Sequence, residues 1–184
     1  MGSVTKLSSD YVLKEEINLS KNKKQFLVVN LLSVLLVIPP LPLLYFIEFE
    51  SFDILLPIIG LGIFIVMIMI HEWIHGLFFK KYSNTKVTYK FHGWAASAST
   101  PGIYYYKNSY MVIGLAPAVI INSILLILFI VIEPFRLMLL ILLAMHLSGC
   151  AGDFYVIFKM RKLMKNALIE DTGVGMNIFV SEAQ

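Results

Sequence analysis

Apolar residues gather in four long stretches of the chain, separated by short polar segments. Residues 25–47 and 108–132 carry no charged side chain. Residues 54–79 carry only Glu72, and residues 137–158 only Asp153. A membrane-spanning helix needs about 20 predominantly apolar residues, and each stretch is long enough. Lipid offers the backbone no hydrogen-bond partner, so each stretch must satisfy itself as a helix. The pattern therefore predicts an all-α integral membrane protein with four transmembrane helices. Pro39, Pro40 and Pro42 are expected to kink the first helix, and Gly114 and Pro117 to loosen the third.

The one sizeable loop, residues 80–107, has a different period. Val87, Tyr89 and Phe91 alternate with Thr88, Lys90 and His92, which is the period of a strand. Pro101-Gly102 is a turn signal, and Trp94 and Tyr104-Tyr105-Tyr106 suit a membrane interface. A small β element is expected there. Near the end, Asp171-Thr172-Gly173 reads as a turn and residues 176–180 as a strand. The expected organisation is an N-terminal segment (1–24), a four-helix membrane domain (25–160) and a C-terminal tail (161–184). The first apolar run is too long for a signal-peptide core and no small-residue cleavage site follows it, so it is expected to be retained.

Composition agrees with the pattern. Of 184 residues, 58% are hydrophobic and 15% charged. Average soluble domains carry about 25% charge. A soluble protein of this size could not hide so much apolar surface. The net charge of +3 is small, so the placement of charge says more than its sum. Basic residues cluster in the N-terminal segment (Lys6, Lys14, Lys21, Lys23, Lys24), in the loop (Lys80, Lys81, Lys86, Lys90, Lys107) and in the tail (Lys159, Arg161, Lys162, Lys165). The loop between the first two stretches carries Glu48, Glu50 and Asp53 instead. Excess Lys and Arg mark the cytoplasmic side. A multi-pass protein of the cell membrane with both termini and the β-rich loop in the cytoplasm follows. Topology accounts for the basic clusters, so a nucleic-acid partner is not expected; the partners are the lipid bilayer and a membrane protein or peptide substrate. Cys150 is the one cysteine and excludes an intrachain disulfide.

Ionisable groups inside hydrocarbon are costly and usually mark function. Here they form a motif. His71-Glu72-Trp73-Ile74-His75 reads H-E-x-x-H. On a helix, positions i and i+4 share a face, so both imidazoles can reach one zinc ion, with Glu72 beside them as general base. Catalytic zinc takes three protein ligands and leaves a position open. Asp153 is the expected third ligand. At 1.5 Å per residue, Glu72 lies roughly 12 Å before Lys80 and Asp153 roughly 9 Å before Lys159, a similar depth. The competing account of Asp153 is an ion pair with Lys159 or Arg161. His146 is two turns before Asp153; it is expected first as a hydrogen-bonded interior histidine, and otherwise as a partner of the ligands or an alternative ligand. Cys150 is expected to pack, with ligation the alternative. His92 is expected to be solvated or interfacial. Asn122 either orients a substrate carbonyl or bonds between helices. Val87, Tyr89 and Phe91 could receive a substrate as an added strand.

His71-Glu72-x-x-His75-Gly76, the β-rich loop, Ala116-Pro117, Ser148-Gly149-x-x-Gly152-Asp153 and the tail Glu170-Asp171-Thr172-Gly173-Val174-Gly175 together resemble a bacterial membrane family of zincin peptidases. That family is similar to a reduced site-2 protease, the intramembrane zinc metalloprotease. The resemblance implies zinc held by His71, His75 and Asp153, with Glu72 as general base in peptide hydrolysis. Unlike the site-2 proteases, this chain has no Asn or Pro between Arg136 and Asp153; Asn122 and Pro117 stand on the preceding stretch. Two other functions fit the same residues less fully. One is a zinc-holding, non-proteolytic adaptor or transport accessory; the other is a small transporter using the buried acids. Hydrolysis needs Glu72, and neither alternative does.

Overall fold

The computed structural model describes residues 2–48, 55–91, 96–173 and 175–182. Its elements in chain order are β1 (Ser3–Val4), β2 (Tyr11–Asn18), α1 (Lys23–Leu35), a 3-10 helix (Leu41–Phe46), α2 (Leu55–Ser83), β3 (Thr88–Phe91), β4 (Ala96–Ser99), β5 (Tyr104–Tyr106) and α3 (Lys107–Val131). A short 3-10 turn (Glu133–Phe135), α4 (Arg136–Gly149), α5 (Ala151–Met160), β6 (Leu168–Asp171) and β7 (Gly175–Ser181) complete it.

Local chemistry sets several boundaries. Asn22 caps α1, its Oδ1 accepting from the backbone N–H of Lys24 and Gln25 at 3.1 Å each. Asn84 follows α2 with φ 53°, a left-handed residue that stops a helix. Ser148-Gly149 precedes a 42° bend between α4 and α5, as small-residue pairs commonly do.

The helices depart from four continuous spans. Among the described residues, two are long and apolar enough to cross a membrane, Ile58–Ser83 and Lys107–Val131, and the bent pair α4–α5 makes a third if taken as one. The first apolar stretch is not one helix. The helix α1 ends at Leu35, and after Pro39 and Pro40 the chain continues as a 3-10 helix. Prolines lack the N–H that an α-helix needs and clash with the preceding turn. Here they interrupt the helix rather than kink it. The fourth stretch is likewise two helices.

The β structure is larger than the loop alone suggests. A five-stranded antiparallel sheet has the order β1-β5-β6-β7-β2. It joins the N-terminal segment, the loop and the tail. In β2, a bulge separates Leu13 from Glu15 where it pairs with β7. The strands β3 and β4 form a separate hairpin, with Tyr89 opposite Ala98 and Phe91 opposite Ala96. His92 and Trp94 lie outside the described residues.

Two buried clusters hold the fold. One packs the sheet (Ile17, Tyr105, Ile169, Met176, Ile178) against the sheet-side ends of the helices (Phe79, Tyr110, Ile113, Met160). The other lies among α2, α3 and α4, with Met67, Ile74, Ile121, Leu125, Phe129, Leu139 and Leu142 in contact. Outward faces of the helices stay apolar: Ile65, Trp73, Val119, Ile127 and Val131 are all more than half exposed or close to it. Such a surface on a helical bundle fits lipid. The candidate site lies where the two clusters meet.

Candidate metal centre

The helix α2 places His71, Glu72 and His75 on adjacent turns, and the bend after α4 brings Asp153, in the first turn of α5, against them. The Nε2 atoms of His71 and His75 are 3.1 Å apart. His71 Nε2 lies 3.3 Å from Asp153 Oδ2, and His75 Nε2 3.5 Å from Asp153 Oδ1. These are the separations of neighbouring ligands around one small cation. With zinc–ligand bonds near 2.0–2.1 Å, the edge of a tetrahedron is about 3.3–3.4 Å. The donor set of two imidazoles and one carboxylate is one that zinc accepts, and it leaves a tetrahedral position open. The competing ion pair for Asp153 is absent among the described contacts. Lys159 reaches Glu15 at 2.6 Å instead, and the Arg161 guanidinium stacks on Phe158.

The outer ring nitrogens are also engaged. His75 Nδ1 lies 3.0 Å from the carbonyl oxygen of Ile113. A carbonyl only accepts, so Nδ1 carries the proton and Nε2 of a neutral ring offers its lone pair to the centre. His71 is fixed through two residues. His146 Nδ1 donates to Asn122 Oδ1 at 2.8 Å, which leaves His146 Nε2 of a neutral ring to accept from His71 Nδ1 at 3.1 Å. His71 Nε2 then also faces inward as a lone pair. Bonds of this kind orient metal-binding imidazoles. Asn122 is therefore tied to His146.

A second ligand-like group, His71, His146 and Cys150, shares His71 with the first. Cys150 is fully buried, and its Sγ is 3.8 Å from His146 Nδ1. The first group has what hydrolysis needs nearby. A cavity of about 310 Å³ is lined by Glu72, His75 and Asp153, and neither His146 nor Cys150 borders it.

Glu72 Oε2 accepts from the backbone N–H of Ala98 at 2.7 Å. Through this bond β4 sits over the motif, and Ala96, Ser97 and Ala98 form part of the cavity wall. The strand β3 is the outer one. Its Tyr89 hydroxyl rests on Gly76, Phe91 is 79% exposed, and Val87 just before it packs against the sheet-side cluster.

The opposite wall comes from the tail. Asp171, Gly173, Gly175 and Met176 line the same cavity. Asp171 accepts from Tyr110 Oη through Oδ2 and from Gly173 N through Oδ1, and burial pushes its carboxyl up to about 6. Gly173 has φ +83°, and a Cβ there would lie 3.1 Å from Ser99 Oγ. The β6–β7 turn thus closes against β4. The sequence reads Asp171-Thr172-Gly173 as a turn and as part of the family-like tail, with no place at the site for Asp171 or Tyr110. An acid followed by glycines reads as a solvated turn, and no local signal shows that it folds back onto a helix motif.

Residues 64–168 match the family described as "Putative zincin peptidase". The matched segment holds His71, Glu72, His75, Asn122, His146 and Asp153, and stops at the first residue of β6. No curated protein and no protein of solved structure matches the chain.

Proposed function

The chain belongs to the putative zincin peptidase family, and from that membership we propose that it is a zinc-dependent metallopeptidase embedded in the cell membrane, hydrolysing peptide bonds of membrane-associated substrates. The observation that carries the reading is the convergence of His71 Nε2, His75 Nε2 and the Asp153 carboxylate at 3.1–3.5 Å, beside a cavity that Glu72 lines. His71, His75 and Asp153 would hold the metal. Bound there, zinc supplies Lewis acidity, polarising a carbonyl oxygen and acidifying a water.

The remaining work falls to the chain itself. Glu72 takes the proton from the attacking water and returns it to the leaving amine. Its bond from Ala98 N–H holds the carboxylate at the cavity and ties its position to β4. An extended substrate segment lies along the edge of β4 that turns away from β3; main-chain bonds along such an edge bind peptides without reading their sequence. The apolar wall of Ile17, Leu19, Val29, Phe79 and Val156 keeps bulk water from the site and receives an apolar side chain. A likeness of mechanism to the site-2 proteases is part of the same proposal.

Sidedness follows from charge and connectivity. The N-terminal segment, the loop and the tail are the three basic segments, and all three contribute strands to one sheet. That shared sheet supports one common side for all three, and the excess of Lys and Arg supports the cytoplasm as that side. The site opens at that side.

Glu72→Gln tests the reading. The variant should keep bound zinc and lose turnover of a single-span reporter by on the order of 10²–10⁴-fold. Zinc content and cleavage are measured on the same detergent-purified sample. Unchanged turnover would overturn the role of Glu72, and the absence of zinc from the zinc-supplied wild type would overturn the metallopeptidase reading itself.

A further inference from the structure

Proline stands inside α3 at position 117. In a helix, the N–H of each residue bonds the carbonyl four residues earlier, and proline has no N–H to give. The carbonyl that Pro117 leaves without its axial partner is that of Ile113, a residue only 1% exposed. A buried carbonyl without a donor is costly. Here the donor is His75 Nδ1, 3.0 Å away on α2.

We propose that Pro117 is a positioning residue for the metal centre: by withholding one backbone N–H it frees the Ile113 carbonyl to hold His75 with its Nε2 turned toward His71 and Asp153. The inference rests on the reading of His75 as a zinc ligand. Pro117 is itself fully buried and sits in the interior of a 25-residue helix, where neither a surface turn nor a helix start explains a proline. The same helix carries Asn122, which holds His146 and through it His71. Both motif histidines are thus oriented by acceptors on α3, one of them exposed by a missing N–H and the other a side-chain amide. Gly114, next to Ile113, lets α5 approach: a Cβ there would lie 3.2 Å from Ile157 Cδ1.

The test is Pro117→Ala, which returns the N–H. The Ile113 carbonyl then regains its axial bond and competes for His75. Zinc affinity of the full-length protein in detergent should fall by about tenfold, read by competition with a chelator of known affinity. Thermal stability of the metal-free protein should hold or rise, because a helix bond has been restored. A merely structural proline would lose both together. A second variant separates the missing N–H from the missing ring: lactic acid placed at position 117 gives a backbone ester with neither. That protein should bind zinc as the wild type does. Wild-type affinity in Pro117→Ala, or equal weakening in the ester variant, would overturn the proposal and leave the zinc reading standing. If the wild type binds no zinc, both fall.

Discussion

Asp171 shows how a single side chain can take a chemistry that its local sequence does not announce. Its carboxyl lies in the cavity wall under Tyr110, and burial raises it to about 6 from an ordinary value near 3.9. Between about pH 4 and pH 6, the folded protein therefore holds a proton that the unfolded chain has released. The contribution of Asp171 to stability is complete below that window and falls as pH rises through it. The wild type should lose thermal stability between pH 4.5 and pH 6.5 relative to Asp171→Asn. Paired melting curves in detergent check this, and parallel pH profiles for the two proteins would contradict it. His71, Glu72 and His75 were legible from spacing alone, because a helix fixes which residues share a face. That His146 and Asn122 form a chain behind His71 was not, since they lie on two other helices.

At the scale of elements, the β3–β4 hairpin and α2 are fitted to each other at one glycine. A Cβ at position 76 would overlap the Tyr89 hydroxyl. Gly76→Ala must displace the half-exposed Tyr89 ring, and where the strand shifts with the ring it takes along the Ala98 N–H that holds Glu72. The histidines stay on α2, so zinc content should persist; a turnover lower by on the order of tenfold to a hundredfold marks a hairpin displaced by about 1 Å, and an unchanged turnover marks a ring that swings aside. Metal analysis beside a cleavage assay distinguishes this from loss of the site. The strand period around residues 87–91 pointed to a hairpin, but not to which strand would face the motif. It is β4, with small side chains at Ala96, Ser97 and Ala98, that borders the cavity. Small residues carry little periodic signal, and their place over α2 depends on contacts far along the chain.

For the whole molecule, connectivity explains why the ends of the chain matter to a site in the middle. The helices α1 and α3 leave the sheet, and α2 and α5 return to it, so β1, β2, β5, β6 and β7 meet at one end of the bundle. Truncation after Lys165 would remove β6 and β7, including Leu168, Ile169, Met176 and Ile178, all nearly fully buried. Burying four such side chains is worth about 6–12 kcal/mol, comparable with the whole margin of about 5–15 kcal/mol that holds a domain folded. The truncated protein should fail to reach a protease-resistant fold and should bind no zinc. Limited proteolysis with metal analysis tests this. A zinc-binding, resistant product would show that the helices alone build the centre.

Sequence by itself determined the long apolar helices and the H-E-x-x-H pair, because hydrophobic run length and helical spacing are local properties. The basic segments set an expectation of sidedness in the same way. Tertiary structure alone decided that prolines 39 and 40 interrupt the first apolar stretch, that the fourth bends by 42° to deliver Asp153, and that N-terminal, loop and tail strands join in one sheet over the site. The physical reason is that these outcomes turn on pairing between distant segments. A backbone N–H finds whichever acceptor packing brings near, and a buried carbonyl such as that of Ile113 is satisfied from another helix when its own cannot supply the donor.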